Sequence, residues 1–228
     1  MKSEKLNISV KNFSESFGVS GRLDAEYYQP KYDEILEKVR QFKYSNLGGK
    51  NGLVDIFKSI EPGSEAYQSE GIPFVRVSNM TKNEISQPEI KLDKEKFENI
   101  KKPKKDDILL TKDGSVGTAY KYQKDEDFIT SGAVLHLTVK DTNLISPDYL
   151  TLVLNSKIVQ LQAQRDAGGS IIQHWKPSEI EAVLIPLLPT QAQTKIAELI
   201  QTSFALRTES KDLLERAKRE VEEEIERG

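Results

Sequence analysis

The chain has 228 residues, 30% of them charged, with two histidines, no cysteine and a formal net charge of -3. That length has room for one good-sized globular unit plus an extended element, or for two small domains, while the missing cysteines exclude disulfides, thiolate zinc sites and cysteine nucleophiles. Two histidines are too few for a histidine-based metal site, and no apolar stretch approaches the roughly 20 residues of a membrane span. MKSEKLNISV also lacks the apolar core of a signal peptide, so a soluble, cytoplasmic protein with no membrane partner is expected.

In chain order, a helix is expected from near Asp24 through AEYYQPKYDEILEKVRQF, where Ile35, Leu36, Val39 and Phe42 fall at helical spacing and Pro30 marks a start or a kink. NLGGKNG ends it. From Leu53 to Lys140 short β-branched and aromatic runs, IPFVRVSN, DDILLT, VGTAYKY and AVLHLTVK, alternate with polar turns and predict a mostly β region. ISPDYLTLVLNSKIVQLQAQ then reads as one helix with Ser146 as N-cap, Pro147 at its first position and a stripe of Leu150, Val153, Leu154, Ile158 and Leu161. A glycine-broken loop and a short turn follow, and the two prolines of LIPLLPT predict an extended connector.

From Gln191 to Arg227 there is no glycine or proline, and apolar residues recur at three-four spacing. This predicts an amphipathic helix of about 37 residues, roughly 55 Å long. No second helix of matching length is present, so an intermolecular partner is expected along the seam.

Motifs for catalysis are missing. The phosphate-loop pattern G-x-x-x-x-G-K-[ST] does not occur, Gly114 and Gly117 in DGSVG do not make a dinucleotide fingerprint, and a strand rather than a helix follows them. There is no G-x-S-x-G elbow, and His136 or His174 would serve as a base only by coincidence. Glu89 and Lys91 match a metal-dependent nuclease pattern only weakly, in a chain this rich in charge, and the Asn/Asp-Pro-Pro signature of adenine methylation is absent. The chain is read as a non-enzyme with no cofactor of its own.

Several stretches, in order, resemble the DNA-specificity subunit of type I restriction-modification systems: RLDAEYYQPKYDEI, GIPFVRVSNM, DILLTKDGSVGTAY, ITSGAVLHLTV, PDYLTLVLNSKIVQ and AGGSIIQHWKPSEIEAVLIPLLPTQAQTKIAELI. The last is the most specific, joining a glycine-serine loop, a proline connector and a long helix. The resemblance implies an α+β fold, with a mostly β target-recognition domain and packed helices over residues 1–189. One long coiled-coil-forming helix over 190–228 would follow, for dimerisation and methyltransferase docking. It also implies double-stranded DNA, a methyltransferase (modification) subunit and a restriction subunit as partners. Methyl transfer would need S-adenosylmethionine on a separate subunit, and cleavage another subunit with ATP. Family members carry two recognition domains and two long helices in tandem, whereas this sequence has one of each. It is therefore either a half-subunit that pairs with a second copy of itself to read an inverted bipartite site, or a fragment. The competing reading is an assembly or regulatory half-subunit whose β domain binds protein.

On that resemblance, the phosphate-contacting candidates are Lys82, Lys102, Lys104, Lys105, Lys112 and Lys121, concentrated by NIKKPKKDD beside the glycine loop. Base-reading candidates are Arg76, Ser78 and Asn79, then Lys112, Asp113, Gly114 and Ser115, then Gly168, Gly169, Ser170, Gln173 and His174. The competing readings are a surface salt bridge for Arg76, an ordinary hairpin turn for 112–117, and a helix C-cap for the glycines of the third loop, with Trp175 as core. Ile196, Leu199, Leu206, Leu213, Leu214, Val221 and Ile225 form the expected dimer seam.

Overall fold

The computed structural model describes residues 8–14, 16–123, 127–168 and 172–227. Its helices are α1 (Phe17–Ser20), α2 (Pro30–Arg40), α3 (Lys94–Phe97), α4 (Pro147–Asn155), α5 (Lys157–Asp166), α6 (Pro177–Glu181) and α7 (Thr190–Arg227). Its strands are β1 (Tyr44–Asn46), β2 (Val54–Lys58), β3 (Ile72–Val75), β4 (Lys91–Leu92), β5 (Ile108–Thr111), β6 (Ala119–Lys121), β7 (Ile129–Thr130), β8 (Val134–Val139) and β9 (Leu184–Pro186). The α+β class expected from the sequence is the one observed.

The central sheet has the order β2-β8-β5-β6, antiparallel throughout. Its two inner strands are buried on both faces, which is why ILL in β5 and VLHL in β8 are continuous rather than alternating apolar runs. Strand alternation sends Ile108, Leu110, Leu135 and Leu137 to one face, where α4, α5, α6 and Trp175 cover them. Leu109 and Val134 go to the other, against Val75, Met80, Tyr122 and Phe128. A small sheet of order β4-β3-β7 adds a separate cluster of Ile72, Phe74, Leu92 and Ile129. Each fully buried Leu or Ile contributes roughly 1.5–3 kcal/mol over its exposed state.

Three elements depart from their predicted form. The first long helix starts at Pro30, not near Asp24, because Gln29 is held extended (φ -65°, ψ 136°), as the residue before a proline favours, and 25–28 is a turn. The helix predicted over 147–166 is two helices broken at Ser156, whose ψ of 161° ends one and caps the next. The Asn155 side chain bonds both backbone groups of Ala119, at 3.1 and 2.7 Å, which ties the break to β6. The break resets the phase, so Val159 and Ala163 are buried where Ile158 and Leu161 were expected to be. The proline connector is a strand: β9 pairs with β1, Tyr44 opposite Pro186, at the edge where a missing N–H is tolerated.

Helix α7 grows out of this body. Gln193 is buried at its root, donating to the Leu144 and Leu188 carbonyls and accepting from Ser146 N–H. From Ala205 to Arg227 every side chain is exposed.

Candidate nucleic-acid interface

The β5–β6 hairpin carries a wound loop, not a simple turn. Buried Thr111 accepts from Thr118 N–H through its hydroxyl and bonds the Ser115 carbonyl, while Gly117 N–H bonds the Thr111 carbonyl. Gly117 has φ 85°, and a Cβ there would stand 2.9 Å from the Gln160 side-chain nitrogen, which itself donates to the Gly117 carbonyl at 2.7 Å. Both conditions select glycine. Gly114, with φ 72°, meets nothing and lies exposed at the tip.

Three loops distant in sequence meet here through one series of backbone hydrogen bonds. Ser131 N–H bonds the Val75 carbonyl, Lys112 N–H the Ala133 carbonyl, and Trp175 N–H the Lys112 carbonyl, each at 2.9 Å. Gly114 N–H then reaches the Gln173 carbonyl, and Gly168 and His174 exchange both of their backbone bonds. Trp175, buried under the sheet, anchors the third loop in the core, as its competing reading supposed. Gly169 and Ser170 lie outside the described residues.

On this surface His174 is 64% exposed and its Nδ1 lies 2.8 Å from Asp113 Oδ1. The other Asp113 oxygen is paired with Lys112 Nζ, so the Lys112 charge is engaged locally. Arg76 and Ser78 are exposed where the chain leaves β3. Asn79 is not free to reach out: half-buried, it accepts from Arg76 N–H at 3.0 Å and shapes the turn. Gln173 is exposed.

The lysines divide. Lys82, Lys104 and Lys105 are exposed; Lys102 is half-buried and paired with Asp127. Lys121 departs from the expectation of a phosphate contact. It is 9% exposed, with Nζ 2.9 Å from Asp148 and 3.3 Å from Asp106. Alternation along β6 places it on the same face as Ala119, toward α4, where a charge needs a partner. Lys82 lies on a 79–86 hairpin that faces α7 across a cleft of about 470 Å³. Glu84 of that hairpin is paired with Lys211.

Sequence reasoning missed Gln160 and Thr111, the side chains that wind the glycine loop; the only trace of them was the glycine itself. His136, weighed as a chance base, is fully buried with Nε2 2.7 Å from the Thr130 hydroxyl, and burial lowers its pKa to about 4. It is a neutral core residue. Among the described residues no group of three or more His, Asp or Glu side chains is placed to hold a metal ion.

Along α7, Leu199 is 72% exposed and Leu206, Leu213, Leu214, Val221 and Ile225 are likewise open. Ile196 is half-buried and packs against the main core. Seven-residue steps from Leu199 through Leu206 to Leu213 keep one stripe on one face.

A family model for the type I restriction modification DNA specificity domain matches residues 51–219, from just before β2, through all three loops, into α7. The chain belongs to this family. The fold of this specificity domain is shared with the type I restriction-modification S subunit from M. genitalium (TM-score 0.52, 18% identity, 71% of this chain and 38% of that one). It is also similar to a chain from a structural study of complex assembly and conformational transition of the type I R-M system (TM-score 0.52, 18% identity, 86% of this chain and 54% of that one). The specificity domain thus spans about two-fifths to about half the length of these relatives. No curated protein matches it in sequence. No helix among its described residues is long and apolar enough to cross a membrane.

Proposed function

We propose that this chain reads a short DNA half-site as the specificity component of a type I restriction-modification complex in the cytoplasm. On this reading it performs no chemistry itself and leaves methyl transfer and cleavage to modification and restriction subunits. Residues 8–189 form the reading head and α7 the assembly rod. Two copies pair through their rods, and twofold symmetry makes the target two inverted half-sites whose spacing the rod sets. What carries this reading is the open stripe of Leu199, Leu206, Leu213, Val221 and Ile225 on a helix whose side chains are exposed from Ala205 to Arg227, with Lys211 paired to Glu84 of the head, in a chain of the specificity family. An isolated amphipathic helix so long is stabilised only when its apolar face is covered.

The need for two heads follows from energetics. A head covering a few base pairs discriminates by roughly 1–3 kcal/mol per pair, too little to pick a rare site, and a second head on the same rod roughly doubles that. Arg76, Ser78, Ser115, Gln173 and His174 are the base-reading set, and Lys82, Lys104 and Lys105 the phosphate set. Selection from a random duplex library by the full chain, alone and with its modification subunit, tests the reading. An inverted repeat of one motif is expected. Recovery of no shared motif under either condition would overturn it and favour a head that binds protein.

A further inference from the structure

We infer that His174 is a base-reading residue that presents Nε2 as a hydrogen-bond acceptor, with its tautomer set by Asp113. The inference rests on the DNA-reading role proposed above. Asp113 Oδ1 lies 2.8 Å from His174 Nδ1, and an ionised carboxylate can only accept, so the proton of a neutral ring must sit on Nδ1. That leaves Nε2 bare, on a side chain 64% exposed. Turning the ring over would set Cδ2–H in place of Nδ1–H and lose the bond, and moving the proton to Nε2 would set the Nδ1 lone pair against the carboxylate.

Asp113 is itself held. Its second oxygen is paired with Lys112, its backbone and that of His174 form a β-bridge, and Gly114 N–H bonds the Gln173 carbonyl beside them. The carboxylate is mostly buried at 18% exposure, and Lys112 neutralises it. A carboxylate that would otherwise repel phosphate thus becomes an internal orienting group, and the only part of the cluster left facing outward is the imidazole edge. Lys176, two residues on from His174, is paired with Glu179. Asp113 is therefore a positioning residue and not itself a reader.

A fixed acceptor in the major groove selects an exocyclic amine, adenine N6–H or cytosine N4–H, and rejects the acceptor pair of guanine. The test uses the duplex recovered from the random library, at pH 8. Exocyclic amines are deleted one at a time, purine replacing adenine and 2-pyrimidinone replacing cytosine. For the wild-type chain one deletion in each half-site should cost about tenfold in affinity in excess of the base-pairing change. For His174→Ala that penalty should vanish at the same position while the others persist. Asp113→Asn, which frees either tautomer, should reduce it and relax the preference at that position alone. Amine-deletion penalties identical in wild type and His174→Ala, or a guanine required where His174 acts, would overturn the inference while leaving DNA reading intact. A library that yields no motif would instead sink the reading on which it stands.

Discussion

Acidification should weaken the fold through one buried side chain. His136 lies at the centre of the main sheet, one strand from the hairpin that carries the glycine loop, and its Nε2 meets the Thr130 hydroxyl at 2.7 Å while Nδ1 has no partner. Burial lowers its pKa from 6.5 to about 4, against a smaller upward pull from Asp107. Between those values the unfolded chain binds a proton that the folded chain refuses. Stability is therefore complete above about pH 6.5 and falls as the pH drops toward 4. The linkage amounts to about 2 kcal/mol between pH 7 and pH 5, and about 3 kcal/mol by pH 4. Urea denaturation at pH 7 and pH 5 should register this as a midpoint roughly 0.7 M lower, for a slope of about 3 kcal/mol/M. His136→Leu removes the titration and strands the Thr130 hydroxyl, so it should cost about 1–3 kcal/mol at pH 7 yet lose about 2 kcal/mol less than wild type on going to pH 5. Carboxylates titrate in both proteins and cancel in the difference. If both lose the same stability between the two pH values, the assignment of His136 as a buried neutral base is wrong.

Lys121→Met, which leaves Asp148 buried without its partner, should destabilise by about 3–5 kcal/mol, and Lys121→Met with Asp148→Leu should recover most of that in thermal denaturation. Gly117→Ala should cost more than about 1 kcal/mol and weaken DNA binding, because both the positive φ and the Gln160 amide oppose a methyl group; Gly114→Ala meets only the first and should cost about 1 kcal/mol. Lys104→Ala and Lys105→Ala should each flatten the slope of log affinity against log salt by about 0.9, without changing the motif selected. Leu206→Glu with Leu213→Glu should bring the sedimenting mass from twice 25.8 kDa down to 25.8 kDa at micromolar concentration; a wild-type chain already at the lower mass would refute self-pairing.

Parts of the site were legible in the residues and parts were not. The β5–β6 hairpin was readable because a β run, a polar glycine loop and a second β run occur within fourteen residues, DILLTKDGSVGTAY. That Lys121 would point inward was also within reach of strand alternation, yet a lysine is ordinarily exposed, and it is Asp148 on α4, 27 residues on, together with Asp106, that makes its burial tolerable. Asn79 looked like an adenine reader by type, whereas its amide is used to bond Arg76 N–H three residues back. The break at Ser156 had no local signal, since its cause is the bonding of Asn155 to β6.

The pattern along the chain determined the helices flanking a mostly β region, the cap at Ser146 and the length of α7, because each follows from the periodicity or chemistry of neighbouring residues. Only the tertiary structure decided that the loops at 76, 112 and 174 share one surface, that Ile196 packs against the core of the head, and that the Asp113 carboxylate meets the His174 ring. Those contacts join residues tens of positions apart through backbone pairing and core packing, and no local pattern encodes which distant partner will be met.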